Sequence, residues 1–184
     1  MIVLIAGLPG TGKTTLAREL VRRTQGALIS KDEIRAALFA PTASPQNDSA
    51  QNGVAQNDIE YSVSQDDFVM EIMLQAARFL LLKDSARKVF LDGRTFSRGY
   101  QIDRVLKFAD ELAQPVRIIE CACSNQSARQ RLELNPDPLH PARNRTFALY
   151  MEVKSRFEPI VHPKAMINTD APIDDCVQQA LAFL

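Results

Sequence analysis

Gly7-Leu8-Pro9-Gly10-Thr11-Gly12-Lys13-Thr14-Thr15 stands between an apolar run, residues 2–6, and a segment of helical period, residues 13–24. It satisfies GxxxxGK[ST]. Glycines at these points let the chain turn sharply, so that successive backbone N–H groups converge on phosphate oxygens at the positive end of a helix dipole. That chemistry gives Leu8, Pro9, Gly10, Thr11, Gly12, Lys13, Thr14 and Thr15 a nucleotide to hold. Lys13 is expected to act catalytically on the β- and γ-phosphates, and the Thr14 hydroxyl to ligate Mg²⁺, which makes ATP and Mg²⁺ the expected cofactors.

Outward from this loop, short apolar runs at 2–6, 27–29, 89–91, 116–120 and 165–168 alternate with longer helical segments. The pattern predicts an α/β architecture in three layers, a P-loop NTPase fold whose five-stranded parallel sheet has the order 2-3-1-4-5, with a helical lid bearing arginines. Helices are expected at 13–24 and 31–39. A third begins near Asp66, where Ser64 followed by Asp67 resembles a capping box and Val69, Ile72, Met73, Ala76, Phe79 and Leu80 recur at three and four residues. Ile102, Val105, Leu106 and Ala109 repeat the pattern in a fourth. Both stripes read as core.

The 184 residues, 46% apolar and 24% charged, fit one soluble domain over residues 1–184. The 22 basic and 22 acidic residues cancel, which argues against a broad binder of polyanions or membrane surfaces. Cys121, Cys123 and Cys176 lack zinc-site spacing and read as reduced thiols, and the apolar run after Met1 is too short for a leader or a span, so a cytoplasmic protein is expected. Residues 41–58, rich in Pro, Ser, Gln and Asn, read as a flexible loop, functional or simply disordered. No Lys or Arg occurs from Ala36 to Ala77, so the neutral total conceals an uneven distribution.

Asp92 ends the third strand and is the expected water-mediated Mg²⁺ ligand. The next residue is Gly93, where a motor ATPase places a glutamate that activates water, and no N/T-K-x-D element for guanine is present. Both absences point to phosphoryl transfer onto a bound acceptor. Ser30-Lys31-Asp32-Glu33-Ile34-Arg35 follows the second strand, at the end that faces the crevice of a parallel sheet. Asp32 there can take the proton of an acceptor hydroxyl and Arg35 can hold an anionic group, although the start of a helix explains the same residues without catalysis.

GLPGTGKTT, SKDEIR and VFLDGRTFSR together resemble the small P-loop kinases related to the kinase domain of polynucleotide kinases and to zeta-toxin-like and chloramphenicol-phosphotransferase-like enzymes. LDGRTFSR and HPARNR extend the likeness over nearly the whole chain, to a bacterial AAA_33 group of AAA-family ATPases and predicted kinases. The resemblance implies that Asp32 is the general base and that Arg35 contacts substrate. Arg94, beside Arg98, reads either as an acceptor contact or as a surface arginine, with Thr95 and Ser97 as the cap of the fourth helix. Residues 125–157, a helix, a Pro-rich turn and a second helix, form the expected lid. Arg131 matches the lid arginine of those families best, catalytic and nucleotide-binding, with Arg129, Arg143 and Arg145 as alternatives, and the loop at Asn168, Thr169 and Asp170 is expected on the adenine. The expected partners are ATP and a hydroxyl-bearing small molecule or nucleotide. A polynucleotide 5′-hydroxyl is less favoured, because the acidic residues from Asp32 to Glu71 would repel a phosphate backbone. The rival class is a non-catalytic ATP-binding regulatory module.

Overall fold

A computed structural model describes residues 1–39, 63–134 and 145–184. The anticipated loop at 41–58 and Arg143 lie outside them. Strands β1 (Ile2–Ala6), β2 (Ala27–Ser30), β3 (Val89–Asp92), β4 (Val116–Ala122) and β5 (Lys164–Asn168) form one parallel sheet in the order β2-β3-β1-β4-β5. This is the order expected from the sequence. β4 runs beyond its anticipated end because pairing with β5 continues through Cys121 opposite Ile167 and Ala122 opposite Asn168.

Alternation along β1 divides the interior into two layers. Ile2, Leu4 and Ala6 pack under α3 (Val63–Lys83) and α4 (Gly99–Glu111), whereas Val3 and Ile5 meet α1 (Lys13–Thr24) and α7 (Ile173–Phe183). Every residue of β1 is buried, as a central parallel strand requires. The remaining helices are α2 (Lys31–Phe39), α5 (Asn125–Arg129), continued by a π-helical turn over Gln130–Leu134, and α6 (Phe147–Ser155). None of the helices described is long and apolar enough to cross a membrane.

Two local expectations change, while α3 begins at Val63, close to its anticipated start. Phe79 is not core but largely exposed. Nor do Thr95 and Ser97 cap α4: the Glu158 carboxylate, arriving from the segment after α6, accepts from Gly99 N at 2.8 Å and from Arg98 at 2.8 Å. Local spacing could not disclose a cap supplied from so far along the chain.

The Gly99 amide and then Arg98 hold the Glu158 carboxyl below its ordinary 4.5. A depressed carboxylate contributes stability above its unfolded pKa and loses it as pH falls through the folded one. Melting temperatures of wild type and Glu158→Gln should therefore differ at pH 7 and converge as pH falls through the lowered pKa of Glu158. A gap that persists in acid would refute the cap's electrostatic part.

Candidate active site at the phosphate-binding loop

The sheet order reverses direction at β1, so the loops after β1 and β3 share a crevice at the carboxyl ends of adjacent strands. Gly7 N donates to Thr95 O at 3.2 Å, joining the two loops. Within the first, Thr11 Oγ1 and Lys13 Nζ both donate to Leu8 O, at 2.8 and 2.7 Å, so the lysine folds back over its own loop. Gly10 has φ +78°, and a Cβ there would stand 2.8 Å from Leu132 Cγ, so both backbone and space demand glycine. The first turn of α1 carries no acidic side chain, leaving its positive end available to an anion. Thr14, half-buried, and Thr15, exposed, open this turn.

Asp92 is fully buried, and neither carboxylate oxygen has a hydrogen-bond partner among the described residues. Such a group is costly unless a charge or a ligand answers it. Burial is the main cause that pulls the Lys13 ammonium below its ordinary 10.5; Asp92 and Asp32 oppose it, while Arg145 adds to it. The loop lysine, both carboxylates and a lid arginine thus lie within electrostatic reach of one point. Asp92 is in register with Ser30, and Gly93, at φ +92°, lets the end of β3 press on the start of α2: a Cβ would come within 3.1 Å of the backbone N of Lys31 and Asp32. Ser30 Oγ accepts from Glu33 N at 3.3 Å, which makes Ser30 the cap of α2.

Do these residues fit Mg²⁺? Mg²⁺ keeps several waters and is commonly held by one or two carboxylates together with substrate phosphates. A buried carboxylate with two unclaimed oxygens, beside a phosphate-binding loop and Thr14, suits that donor set. Among the described residues no group of three or more His, Cys, Asp or Glu could form a cage of its own.

Beyond the carboxyl ends of β2 and β3, Lys31, Arg35 and Arg94 are all buried and converge on the first turns of α3. Arg35 reaches Asp66 Oδ1 at 2.7 Å and Gln65 Oε1 at 2.7 Å, Lys31 reaches Asp66 Oδ1 at 3.0 Å, and Arg94 reaches Asp67 Oδ1 at 3.0 Å. Arg94 is therefore no surface arginine. The sequence singled out Arg35 and Arg94 but missed Lys31 and the two aspartates that gather them. The one signal was the absence of Lys and Arg from Ala36 to Ala77, which leaves Asp66 and Asp67 to cations outside that stretch. Glu71 is likewise paired, with Arg104 at 2.6 Å. Repulsion of a phosphate backbone by Asp66, Asp67 and Glu71 was the reason for disfavouring a polynucleotide, and these pairings remove much of it.

The lid meets the phosphate loop through a small apolar cluster, Ala128, Leu132 and Tyr150 with Leu8, Cys123 and Phe147. The π-helical turn, a feature common at functional sites, carries both Arg131 and Leu132 onto the loop. Arg131 donates to Thr169 Oγ1 at 3.1 Å, Thr169 O at 2.7 Å and, more weakly, Gly10 O at 3.4 Å, and Thr169 Oγ1 in turn reaches Thr11 O at 3.0 Å. Arg131 thus ties the β5–α7 corner to the phosphate loop, while Arg145 is among the charges that lower the Lys13 ammonium. Arg129 pairs with Glu133 at 3.2 Å and lies over the Phe147 ring at 4.9 Å, on the lid itself.

A loop closed by glycines and a lysine, a buried acidic strand end and an arginine-bearing lid define the P-loop class. Residues 2–160 match the family model AAA_33, described as an AAA domain, and the chain belongs to that family. No curated protein sequence matches it. Among solved structures, a Chloroflexus aurantiacus protein whose kinase assignment is provisional superposes at TM-score 0.69 with 19% identity, over 100% of this chain and 97% of that one. The Mycobacterium tuberculosis APS kinase CysC, in complex with AMPPNP and APS, gives 0.67 at 16% identity over 99% and 95%. Chaetomium thermophilum Kti12 in complex with ADP-AlF3 gives 0.66 at 15% identity over 100% and 98%. At these identities the likeness is one of fold.

Gly93→Ala should lower stability by about 1–3 kcal/mol in urea unfolding, because alanine must hold a left-handed φ against the backbone of α2. Gly99→Ala is the control, since its added Cβ meets nothing nearer than 3.7 Å. Equal costs for the two would show that the β3–α2 contact imposes no constraint.

Proposed function

We propose that the chain is a small P-loop kinase, transferring the γ-phosphoryl group of ATP to a hydroxyl of a small-molecule or nucleotide acceptor. One observation carries the reading: Asp92, buried with no hydrogen-bond partner for either oxygen among the described residues, ends the strand adjacent to the one that leads into the phosphate loop. Gly93 follows it, with no glutamate to activate water, and Asp32 stands in the first turn of α2, behind the Ser30 cap.

Residues 8–15 and Lys13 hold the phosphates through backbone N–H groups and the ammonium. Thr14, and Asp92 through water, would hold Mg²⁺, which when bound neutralises charge on the β- and γ-oxygens. Asp32 accepts the proton of the acceptor hydroxyl as that oxygen bonds to the γ-phosphorus; the bond from this phosphorus to the β–γ bridging oxygen breaks, and ADP leaves. Such catalysis rests on position and electrostatics. Arg145 adds positive charge near Lys13, and Arg131 steadies the loop and the corner at Thr169 against the nucleotide. Arg35 and Arg94 orient the acceptor's side of the crevice, held by Asp66 and Asp67. The protein acts in the cytoplasm, where its three free thiols stay reduced.

γ-Labelled ATP offered with nucleosides, oligonucleotides, nucleotide sugars and small metabolites should label one class. Nucleotide binding without transfer to any of them would favour the regulatory module. With the acceptor in hand, Asp32→Asn should keep its ATP affinity and lose about 10²–10⁴-fold in transfer rate. Transfer at the wild-type rate would remove Asp32 from the chemistry.

A further inference from the structure

Thr169 follows the last residue of β5, at the carboxyl end of the sheet, and its side chain is turned toward the phosphate loop and the lid. Oγ1 accepts from Arg131 Nη1 at 3.1 Å and lies 3.0 Å from Thr11 O and 3.1 Å from Ala122 O. A hydroxyl has one proton and two lone pairs, so it can accept from Arg131 while donating to one carbonyl. Ala122 O already receives Thr169 N at 2.8 Å, and the hydroxyl stands closer to Thr11 O. The proton therefore serves Thr11, inside the loop.

That bond sets the direction of an amide. In a trans peptide the carbonyl oxygen and the N–H of the next residue point to opposite sides of the chain. Holding Thr11 O on the β5–α7 corner thus turns Gly12 N–H away from that corner. The preceding peptide shows which side this is: Gly10 O receives Arg131 at 3.4 Å, while Thr11 N donates the other way, to Leu8 O at 3.3 Å, the oxygen that Lys13 Nζ also reaches at 2.7 Å. The N–H groups therefore face the lysine, the side on which such a loop gathers phosphate oxygens. Gly12, at φ +76°, does not impose this orientation itself, because glycine admits many backbone conformations at little cost. An outside anchor is needed, and Thr169 Oγ1 and Arg131 Nη1 stand against Gly12, 3.6 and 3.5 Å from where its Cβ would be.

We propose that Thr169 is a positioning residue for phosphate binding, its hydroxyl fixing the Thr11–Gly12 peptide and the Arg131 guanidinium together before a nucleotide arrives. The acceptors that hold Arg131 are two backbone carbonyls and this hydroxyl, all neutral, so its charge is kept for phosphate, whereas Asp66 and Asp67 answer Arg35 and Arg94. The proposal rests on the nucleotide-binding half of the kinase reading and asks nothing of the acceptor.

Calorimetric titration of the full chain with MgATP, and with magnesium tripolyphosphate, which has no base, tests it without an acceptor. Thr169→Val, of the same shape but lacking the hydroxyl, should weaken both ligands by a similar factor of about ten, and Thr169→Ser should return both to within about threefold of wild type. Circular dichroism melts of the nucleotide-free variants check folding, and Thr169→Ala should repeat the loss if valine is not accommodated. Unchanged affinities in a folded variant without the hydroxyl would overturn the proposal, as would weaker MgATP with unchanged tripolyphosphate, which would place Thr169 on the base, or a serine variant as weak as valine. A wild type that binds both ligands but transfers no phosphoryl group overturns the kinase reading and leaves this one standing; one that binds neither overturns both.

Discussion

Two opposite charges taken out of water set the terms for the rest of the molecule. Asp92, at the end of β3, has no hydrogen-bond partner among the described residues, and Lys13, at the start of α1, is buried and folded back onto Leu8 O at 2.7 Å. Burial raises the cost of each, and their mutual attraction in a low-dielectric crevice offsets only part of it. A site in this condition is prepared for further charge, and the phosphates of a nucleotide with Mg²⁺ are the kind that would complete it. The sheet supplies the rigidity: β1 and β3 are adjacent, in register from Ile2 opposite Val89 to Leu4 opposite Leu91, so the two charges are held by the stiffest part of the fold.

Around this pair the structure spends its unusual backbone. Gly10 turns under Leu132, Gly93 admits the start of α2, and Phe96, buried with φ +52°, follows the Thr95 carbonyl that receives Gly7 N. A bulky residue at positive φ persists only where its surroundings hold it. Both crevice loops are therefore fixed by contacts with each other and with the lid, through Leu8 and Leu132 on one side and Thr169 and Arg131 on another. Distortion of one loop must pass to the next.

Much of this was legible beforehand. β-branched and apolar runs of strand length, a GxxxxGK[ST] loop and helical stripes between them dictate a parallel sheet wrapped by helices, and five strands came out in the expected order. Lys13, Asp32 and Asp92 could be singled out as candidates because each lies beside a strand end, where the crevice of such a sheet must be. Less legible was everything assembled from distant segments: Glu158 as the cap of α4, Asp66 and Asp67 as the anchors of Arg35 and Arg94, and the contacts of Arg131 with Thr169 and Gly10. Periodicity also could not say which of two apolar faces of α3 is turned inward, and it assigned Phe79 to the wrong one.

The sequence by itself determined the layers of the fold and the phosphate-binding loop, because both arise from patterns confined to a few neighbouring residues: strand and helix periods, and the left-handed turns that glycine permits. Tertiary structure alone decided where the charges find their partners. Lys31, Arg35 and Arg94 are far in sequence from Asp66 and Asp67, and a buried ion's partner is chosen by which side chains the packing brings within about 3 Å, a distance that no local pattern encodes.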